Sequence, residues 1–164
     1  MSVNLSDVTR LIPCSVALLS AATKEKRDVM TCGCMFVAED QPFFIVSVAK
    51  HIFSHDLIEA AGEFAINVAS EGQADLARRV GALHGQEIDK YQKLAIQTED
   101  RGPGKAPFIK GSFASIACKV LTSYPVGKYT VYIAEATDFT VDSKQRPVAW
   151  YGDRYFVLKD EARY

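Results

Sequence analysis

The strongest constraint on this chain is the long strand-like stretch in its C-terminal half. Residues 114–124 and Tyr129–Val141 are rich in β-branched and aromatic types, and only residues 125–128 separate them. Such residues favour strands, and a connection this short joins antiparallel neighbours. The sequence therefore predicts a long β-hairpin, followed by a further strand over residues 150–158 that is broken at residues 152–153.

The N-terminal half adds shorter apolar runs and two helical patterns. Strands are predicted over 14–21, 30–37, 42–48 and 64–69, and helices over 51–61 and 73–83, with Gly62 as a helix C-cap. A doubly wound sheet would alternate strands and helices throughout, and the second half lacks that alternation. We therefore predict a mainly β fold with inserted helices, arranged as an antiparallel barrel in one domain over residues 1–164.

Charge and composition exclude several classes of function. The formal net charge of −1 over 164 residues gives no electrostatic reason to expect nucleic acid or an anionic membrane as a partner. No apolar run is long enough to span a bilayer, and the N-terminus has no signal-peptide pattern. We therefore expect a cytoplasmic protein whose four cysteines are thiols.

A series of short motifs carries a family resemblance. In order they are Pro13 with the strand after it, Met-Thr with small residues at 30–34, a Pro-led strand and helix start at 42–54, Glu-Phe-Ala-Ile-Asn-Val at 63–68, Asp-Lys-Tyr at 89–91, Ala-Pro at 106–107 and Trp-Tyr-Gly at 150–152. Together they resemble the flavin reductase-like family, whose fold is an FMN-binding split β-barrel. The resemblance implies FMN as cofactor, NAD(P)H as a possible co-substrate, and a homodimer with the flavin near the subunit interface.

The resemblance assigns most of the flavin contacts to residues 30–54. The ring would lie along Met30, Thr31, Cys32, Gly33 and Cys34, because small residues let the backbone approach a flat molecule and Gly33 has no Cβ. A buried strand with small residues for tight packing is the plainer interpretation of the same segment.

A strand end that turns into a helix start would hold the flavin phosphate. Free backbone N–H groups and the helix dipole favour an anion there. Many family members carry an arginine where this chain has Ile52, so Lys50 or His51 would have to supply the positive charge. The residues assigned to this cradle are Ser47, Val48, Ala49, Lys50 and Ser54.

Three further residues are candidates by resemblance. Lys90 would contact the phosphate or ribityl chain, Trp150 would cover a ring face, and Tyr129 stands where many members carry a histidine associated with the nicotinamide. A solvated lysine and a core or interface tryptophan are the alternatives for the first two.

Two pairs of residues raise the question of a metal. His51 and His55 are four residues apart on the predicted helix, and Cys32 and Cys34 form a C-x-C pair. We interpret the first as a polar helix start and the second as two small buried side chains, and we predict no metal site.

The function predicted is that of an oxidoreductase that passes a hydride from NAD(P)H to flavin, with a monooxygenase or another redox protein as partner. Two alternatives stay open. One is a flavoredoxin-like electron carrier that holds FMN without oxidising NAD(P)H. The other is a split barrel for haem or a deazaflavin, where His51, His55 or His84 would become ligand candidates.

Overall fold

The computed structural model describes residues 4–159 as a mainly antiparallel β structure with small helices. The strands are β1 (Cys14–Ser15), β2 (Ala17–Ala22), β3 (Arg27–Cys32), β4 (Cys34–Phe36), β5 (Phe43–Ala49), β6 (Glu63–Val68), β7 (Thr98–Glu99), β8 (Phe108–Ile109), β9 (Ala114–Val126), β10 (Tyr129–Val141), β11 (Val148–Tyr151) and β12 (Arg154–Val157). The α-helices are α1 (Phe53–Ala61), α2 (Ala74–Gly81) and α3 (Lys90–Lys93), with 3₁₀ helices at Leu5–Leu11 and Glu71–Gln73. Residues 1–3 and 160–164 of the predicted domain lie outside the described residues.

A seven-stranded sheet in the order β3-β2-β6-β9-β10-β5-β4 forms the main body. Its two edge strands, β3 and β4, are separated in sequence by Gly33 alone. Because one residue spans at most about 3.6 Å, the two edges must lie close together, and the sheet has to curl. Beside this seam, the hydroxyl of Ser15 joins β1 to β4, since it accepts from the backbone N–H of Cys34 at 3.1 Å and donates to the carbonyl of Cys34 at 2.7 Å.

The long hairpin of β9 and β10 supplies much of the curvature. Its register shifts twice, between Ile133 and Ala134 and again between Ala136 and Asp138. Such bulges bend the bulged strand and increase its twist, so a pair of thirteen-residue strands follows the curled sheet instead of extending flat. A two-residue turn closes the hairpin, with Gly127 at φ +56, a conformation that glycine adopts without steric cost.

Strand β2 is buried along its whole length because both of its faces are covered. Leu19 contributes to a core that α1 closes, and Leu18 contributes to a second core beneath α2 and β11. Two-sided burial explains why the sequence shows a continuous apolar run here instead of an alternating pattern. The barrel wall is therefore held between two hydrophobic layers.

Buried Asn67 ties four strands together. Its side-chain amide donates to the carbonyl of Leu18 at 2.8 Å and to the hydroxyl of Ser20 at 3.2 Å. Its oxygen accepts from the backbone N–H of Ile109 at 2.9 Å and from the hydroxyl of Ser115 at 2.8 Å. Asn67 is fully buried. If its side chain were removed, each of these groups would lose its hydrogen-bond partner and would have no access to water as a replacement.

The predicted mainly β, antiparallel fold with inserted helices is confirmed, while several boundaries differ. The first helix begins at Phe53 instead of residue 51, because Ile52 has extended backbone angles (φ −89, ψ 138). The second is a 3₁₀ turn followed by α2 and ends at Gly81. The predicted strand over 30–37 is divided at Gly33, where the pairing partner changes from β2 to β5. The C-cap at Gly62 is confirmed by its left-handed conformation and its N–H bond to Ile58.

Within residues 4–159, none of the helices is both long and apolar enough to cross a lipid bilayer.

The Asn67 network leads to a stability prediction. Asn67→Asp keeps an acceptor toward Ile109 and Ser115 but replaces the donor facing Leu18 and Ser20, so we expect a loss of about 2–4 kcal/mol in the free energy of unfolding. Ser115→Ala, which removes one partner, should cost about 1 kcal/mol in the same urea titration. Equal losses for the two variants would contradict the role given to the amide.

Candidate functional site

A buried carboxylate on β3 organises one end of the barrel. Asp28 is 1% exposed, and the ammonium of Lys90, which is 3% exposed, lies 3.0 Å from its Oδ1 atom. Lys90 also donates to the backbone carbonyl of Val29 at 2.6 Å. Ser54 donates its hydroxyl proton to Oδ2 of Asp28 at 2.7 Å. One carboxylate therefore joins β3 to α1 and α3, and its charge is matched by a single cation.

Two further contacts complete this cluster. The hydroxyl of Tyr91 donates to the backbone carbonyl of Asp28 at 3.2 Å. Burial, with the nearby Asp28 carboxylate as a second cause, raises the pKa of Tyr91, so the hydroxyl keeps its proton. Gly85 packs directly on the Asp28 carboxylate, and a Cβ at that position would overlap it. The segment between α2 and α3 is thereby held against β3.

A cavity of about 470 Å³ opens above this cluster. Its size is within the range of small-molecule sites. Three segments form its walls: the end of β3, the turn that leads into α1, and the segment from α2 to α3. The lining residues are Met30, Thr31, His51, Ile52, Phe53, Val80, Gly81, Leu83, His84, Gly85, Gln86, Glu87 and Lys90.

The cavity brings together some of the predicted flavin residues. Met30, Thr31 and Lys90 line it, and Thr31 is fixed by donating its hydroxyl proton to the carbonyl of Ala77 at 2.6 Å. Ser54 lies just outside the lining, fully buried and bonded to Asp28. The solvated-lysine alternative for Lys90 is wrong, since the side chain is buried in the ion pair.

The start of α1 borders the same cavity. Ile52 occupies the N-cap position and offers no side-chain hydrogen bond to the helix, and Phe53 is the first helical residue. An aliphatic N-cap cannot accept from the first backbone N–H groups, and of these only the N–H of His55 has a partner, the carbonyl of Ile52 at 2.9 Å. The N–H groups of Phe53 and Ser54 therefore keep their capacity to bind an anion. The local sequence thus leaves this helix end uncapped at the cavity wall.

The remaining ring-edge candidates lie at the barrel seam. Cys32 and Cys34 flank exposed Gly33, and both pack against the core that α1 closes. A Cβ on Gly33 would lie 3.4 Å from the sulfur of Cys14, which is van der Waals contact. Cys32 and Cys34 are only partly buried, so the interpretation of the pair as two small buried side chains holds only in part.

All four cysteines are free thiols, and their environment disfavours ionisation. Burial raises the pKa of Cys32 and Cys34, and it raises that of Cys118 to about 12. Protonated thiols are weak nucleophiles and poor metal ligands. No group of three metal-ligating side chains occurs among residues 4–159.

The predicted residues of β5 lie beside the hairpin turn instead of in the cavity lining. Val48 and Ala49 are buried, whereas Ser47 is exposed. Ala49 pairs with Tyr129, which is half exposed. The ammonium of Lys50 donates to the carbonyl of Gly127 at 3.1 Å. The phosphate-side and nicotinamide-side candidates are therefore neighbours at one end of the barrel.

Trp150 occupies a separate position. It lies on β11 opposite Cys14 and packs, half buried, against the core beneath α2. It does not line the cavity within this chain.

A larger groove of about 940 Å³ adjoins the cavity, and the two share Phe53, Gly85, Gln86 and Glu87. Acidic and basic side chains are equally numerous along this groove, so its composition does not favour an anion. Arg101, at its edge, stacks on Phe108 with its Cζ atom 4.4 Å from the ring centroid, and its side chain is 17% exposed.

Sequence reasoning missed the wall between α2 and α3. His84, Gln86 and Glu87 line the cavity, whereas the sequence indicates a role only for His84, as a haem ligand candidate. The sequence feature that points to this wall is Gly85 followed by Asp89. Asp89 is the N-cap of α3, and its side chain accepts from the N–H of Tyr91 at 2.8 Å. That pattern predicts a tight turn, but the sequence alone does not say what the turn faces.

The ion pair gives a second stability prediction. Lys90→Met should lower the free energy of unfolding by about 3–5 kcal/mol, because it leaves Asp28 buried without a cation. Lys105→Met is a matched control, since the Lys105 side chain is 52% exposed and its pair with Glu63 should contribute about 0–1 kcal/mol. Similar losses for the two variants in urea would contradict the buried pair.

Comparison with known proteins places these features in a family. The family described as "Flavin reductase like domain" matches residues 9–159. The actinorhodin polyketide dimerase of Streptomyces coelicolor is 28% identical over 156 residues, covering 94% of this chain and 85% of that protein. The reductase component of the FADH(2)-dependent resorcinol hydroxylase of a Rhizobium species is 24% identical, covering 93% and 84%.

Solved structures agree on the fold. The NADH:FAD oxidoreductase SgcE6 of Streptomyces globisporus superposes with a TM-score of 0.84 at 22% identity, covering 95% of this chain and 92% of that one. An FMN-binding protein from Thermus thermophilus gives a TM-score of 0.82 at 20% identity, covering 100% and 97%. The predicted split-barrel fold and the predicted class of oxidoreductase are confirmed at the level of the family: the chain belongs to the flavin reductase-like domain family.

Proposed function

We propose that this protein is an NAD(P)H-dependent flavin reductase that binds FMN in the 470 Å³ cavity and supplies reduced flavin to a monooxygenase partner. The observation that supports it most strongly is the convergence of Thr31 and the uncapped start of α1 on one cavity. These are two of the segments that the family resemblance assigns to the flavin.

The residues present fit a flavin mononucleotide. The uncapped start of α1 would bind the phosphate, and the small residues around Gly33 would admit the flat ring at the seam. The ammonium of Lys90 already donates to Asp28 and to the carbonyl of Val29, so it could donate to the cofactor only by sharing those protons. We therefore assign Lys90 to positioning the cavity wall. When bound, the flavin supplies the hydride chemistry, and the chain supplies position and access.

FMN suits the charge distribution better than FAD. A second phosphate would have to lie outside the cavity, and the adjoining groove offers as many carboxylates as cations. Names among the relatives include both an NADH-dependent FAD reductase and an FMN-binding protein, so each flavin occurs in proteins similar to this one. We expect a lower dissociation constant for FMN than for FAD in parallel titrations.

Tyr129 is our candidate on the nicotinamide side. It is half exposed on β10 and pairs with Ala49, whose neighbour Lys50 is bonded to the turn at Gly127. An aromatic side chain in this position can stack on the nicotinamide while Lys128 beside it contacts a phosphate of NAD(P)H. NAD(P)H would thus approach the flavin from the end of the barrel where the turn between β9 and β10 lies.

The experiment is anaerobic mixing of the FMN-loaded protein with NADH and, separately, with NADPH. Rapid loss of the flavin absorbance with either nucleotide supports the reductase. No bleaching with NADH or NADPH, but bleaching with a ferredoxin-like donor, would instead indicate the flavoredoxin-like carrier. Failure of the protein to bind added flavin, or a Soret band in its absorbance spectrum, would contradict the proposal.

Variants of Tyr129 sharpen this test. Tyr129→Ala should lower kcat/KM for NAD(P)H about tenfold through loss of one stacking contact, with FMN affinity unchanged. Tyr129→Phe keeps the ring and should behave like the unaltered protein. An unchanged kcat/KM in the alanine variant would remove Tyr129 from the site.

We also propose a homodimer. Three consecutive apolar side chains, Met35, Phe36 and Val37, are about half exposed at the free edge of the seven-stranded sheet. Exposed apolar edges favour pairing with another chain. Such pairing would also give Trp150 of one copy access to the flavin of the other.

The dimer gives a separate prediction. The unaltered chain should run as a dimer in light scattering at micromolar concentration, and Phe36→Asp should shift it toward monomer, because a charge would be buried at the interface. Phe36→Leu, which keeps an apolar side chain, should leave the dimer intact. A monomeric unaltered chain would overturn both the dimer and the role of Trp150.

A further inference from the structure

One flank of α1 is joined to β10 by two polar contacts between side chains. His55 and Glu59 are one turn apart on α1, so they share one face of the helix. Thr130 and Tyr132 are two residues apart on β10, so they share one face of the strand. The Nε2 atom of His55 lies 2.9 Å from the hydroxyl oxygen of Thr130. Tyr132 donates its hydroxyl proton to Oε1 of Glu59 at 2.6 Å.

The contact of His55 uses only one nitrogen of its ring. The His55 side chain is 14% exposed, and Thr130 is 7% exposed. The Nδ1 atom is buried and has no hydrogen-bond partner among residues 4–159, since Oδ1 of Asp56, at 3.7 Å, is beyond hydrogen-bond distance. A proton on Nδ1 would be a buried donor without a partner, so the neutral ring carries its proton on Nε2 and donates it to Thr130.

The His55 contact lies where the two halves of the candidate site meet. His55 is in the first turn of α1, two residues after Phe53, which lines the cavity. Thr130 directly follows Tyr129, the candidate on the nicotinamide side. Successive side chains of a strand point to opposite faces, so the bond that holds Thr130 against α1 also sets the direction of Tyr129.

The other contacts at the start of β10 do not reach α1. Tyr129 pairs with Ala49 on β5, and the backbone N–H of Lys50 donates to the carbonyl of Lys128 at 2.9 Å. Within residues 4–159, the His55 contact is the only side-chain hydrogen bond between the first turn of α1 and β10. It therefore links the wall of the cavity to the segment proposed to meet NAD(P)H.

We propose that His55 is a positioning residue for hydride transfer: through Thr130 it sets the separation between the flavin beside α1 and the nicotinamide beside Tyr129. This inference rests on the proposed function and deepens it. Hydride transfer needs the two reacting carbons in near contact, and a displacement of about 1 Å can lower the rate about a hundredfold. His55 does not line the cavity, so its loss should slow the transfer step without changing flavin affinity.

A purely structural role would make the two contacts between α1 and β10 equivalent. Both join the same elements, and Tyr132 is 1% exposed, so loss of either contact should lower the free energy of unfolding. The contact of Glu59 lies one turn further along α1 and is not next to Tyr129. Only loss of the His55 contact should therefore slow hydride transfer.

The test is the single-turnover rate at which saturating NADH or NADPH bleaches the FMN-loaded full-length chain without oxygen. His55→Leu should lower this rate about tenfold, with the dissociation constant for FMN unchanged. Thr130→Val should do the same, and the double variant should be no slower than either single one, because both remove one interaction. Urea titrations of the same four proteins without flavin should show the same non-additive effect on the free energy of unfolding.

The unpartnered Nδ1 atom allows a rescue that packing alone would not give. Glutamine can place its amide nitrogen near the position of Nε2, so His55→Gln keeps the donor to Thr130 and should retain the rate. Asparagine places its amide near the position of Nδ1, so His55→Asn should be as slow as His55→Leu. Tyr132→Phe is the matched control, which should lower the free energy of unfolding without slowing the bleaching.

The possible failures are distinguishable. If neither NADH nor NADPH bleaches the unaltered chain, the proposed function fails and this inference fails with it. If the unaltered chain is bleached and His55→Leu is bleached equally fast, only the inference is overturned. Equal slowing in Tyr132→Phe, or a slow His55→Gln variant, would also overturn it, because the contact would then serve stability alone. If His55→Leu does not fold, the comparison of His55→Gln with His55→Asn decides.

Discussion

The buried Asp28–Lys90 pair is the interaction on which the candidate site depends. A buried ion pair is rarely a net source of stability, because the desolvation of two charges offsets their attraction. Here the ion pair determines how the neighbouring segments are positioned. One carboxylate fixes the ammonium of Lys90, the hydroxyl of Ser54 and the backbone at Gly85, and these three contacts set the position of α3, α1 and the loop between α2 and α3. The cavity exists because those segments meet around Asp28.

The second constraint is the seam of the barrel. Gly33 alone connects the two edge strands of the seven-stranded sheet, so the sheet curls and brings these edges together where the chain has small residues. This closure places Thr31, the last part of β3, next to the start of α1. Strand β2, which pairs with β3, is packed between two cores. A flat ligand at this point meets backbone and small side chains instead of a flexible surface.

Much of the fold follows from the sequence by local rules. The long hairpin of β9 and β10, the turns at Gly127 and Gly152 and the cap at Gly62 all depend on residue types and spacing within a few positions. The division of the strand at Gly33 does not, because it depends on which distant strand is available for pairing. Local patterns also cannot reveal that Lys90 is buried, since its partner Asp28 is 62 residues away in the chain.

The same limit applies to the site. Motif order led to the segments around Thr31 and Ser54, and the structure brings their ends together. It also separates Lys50 from the cavity lining and adds His84 and Glu87, whose contribution depends on a loop held by Gly85. Whether the cavity is the flavin site is tested most directly by a crystal structure of the FMN complex. We expect the phosphate beside the backbone N–H of Phe53, with the ring extending past Thr31 toward Gly33. A flavin bound in the adjoining groove between Lys24 and Lys105 would contradict this account.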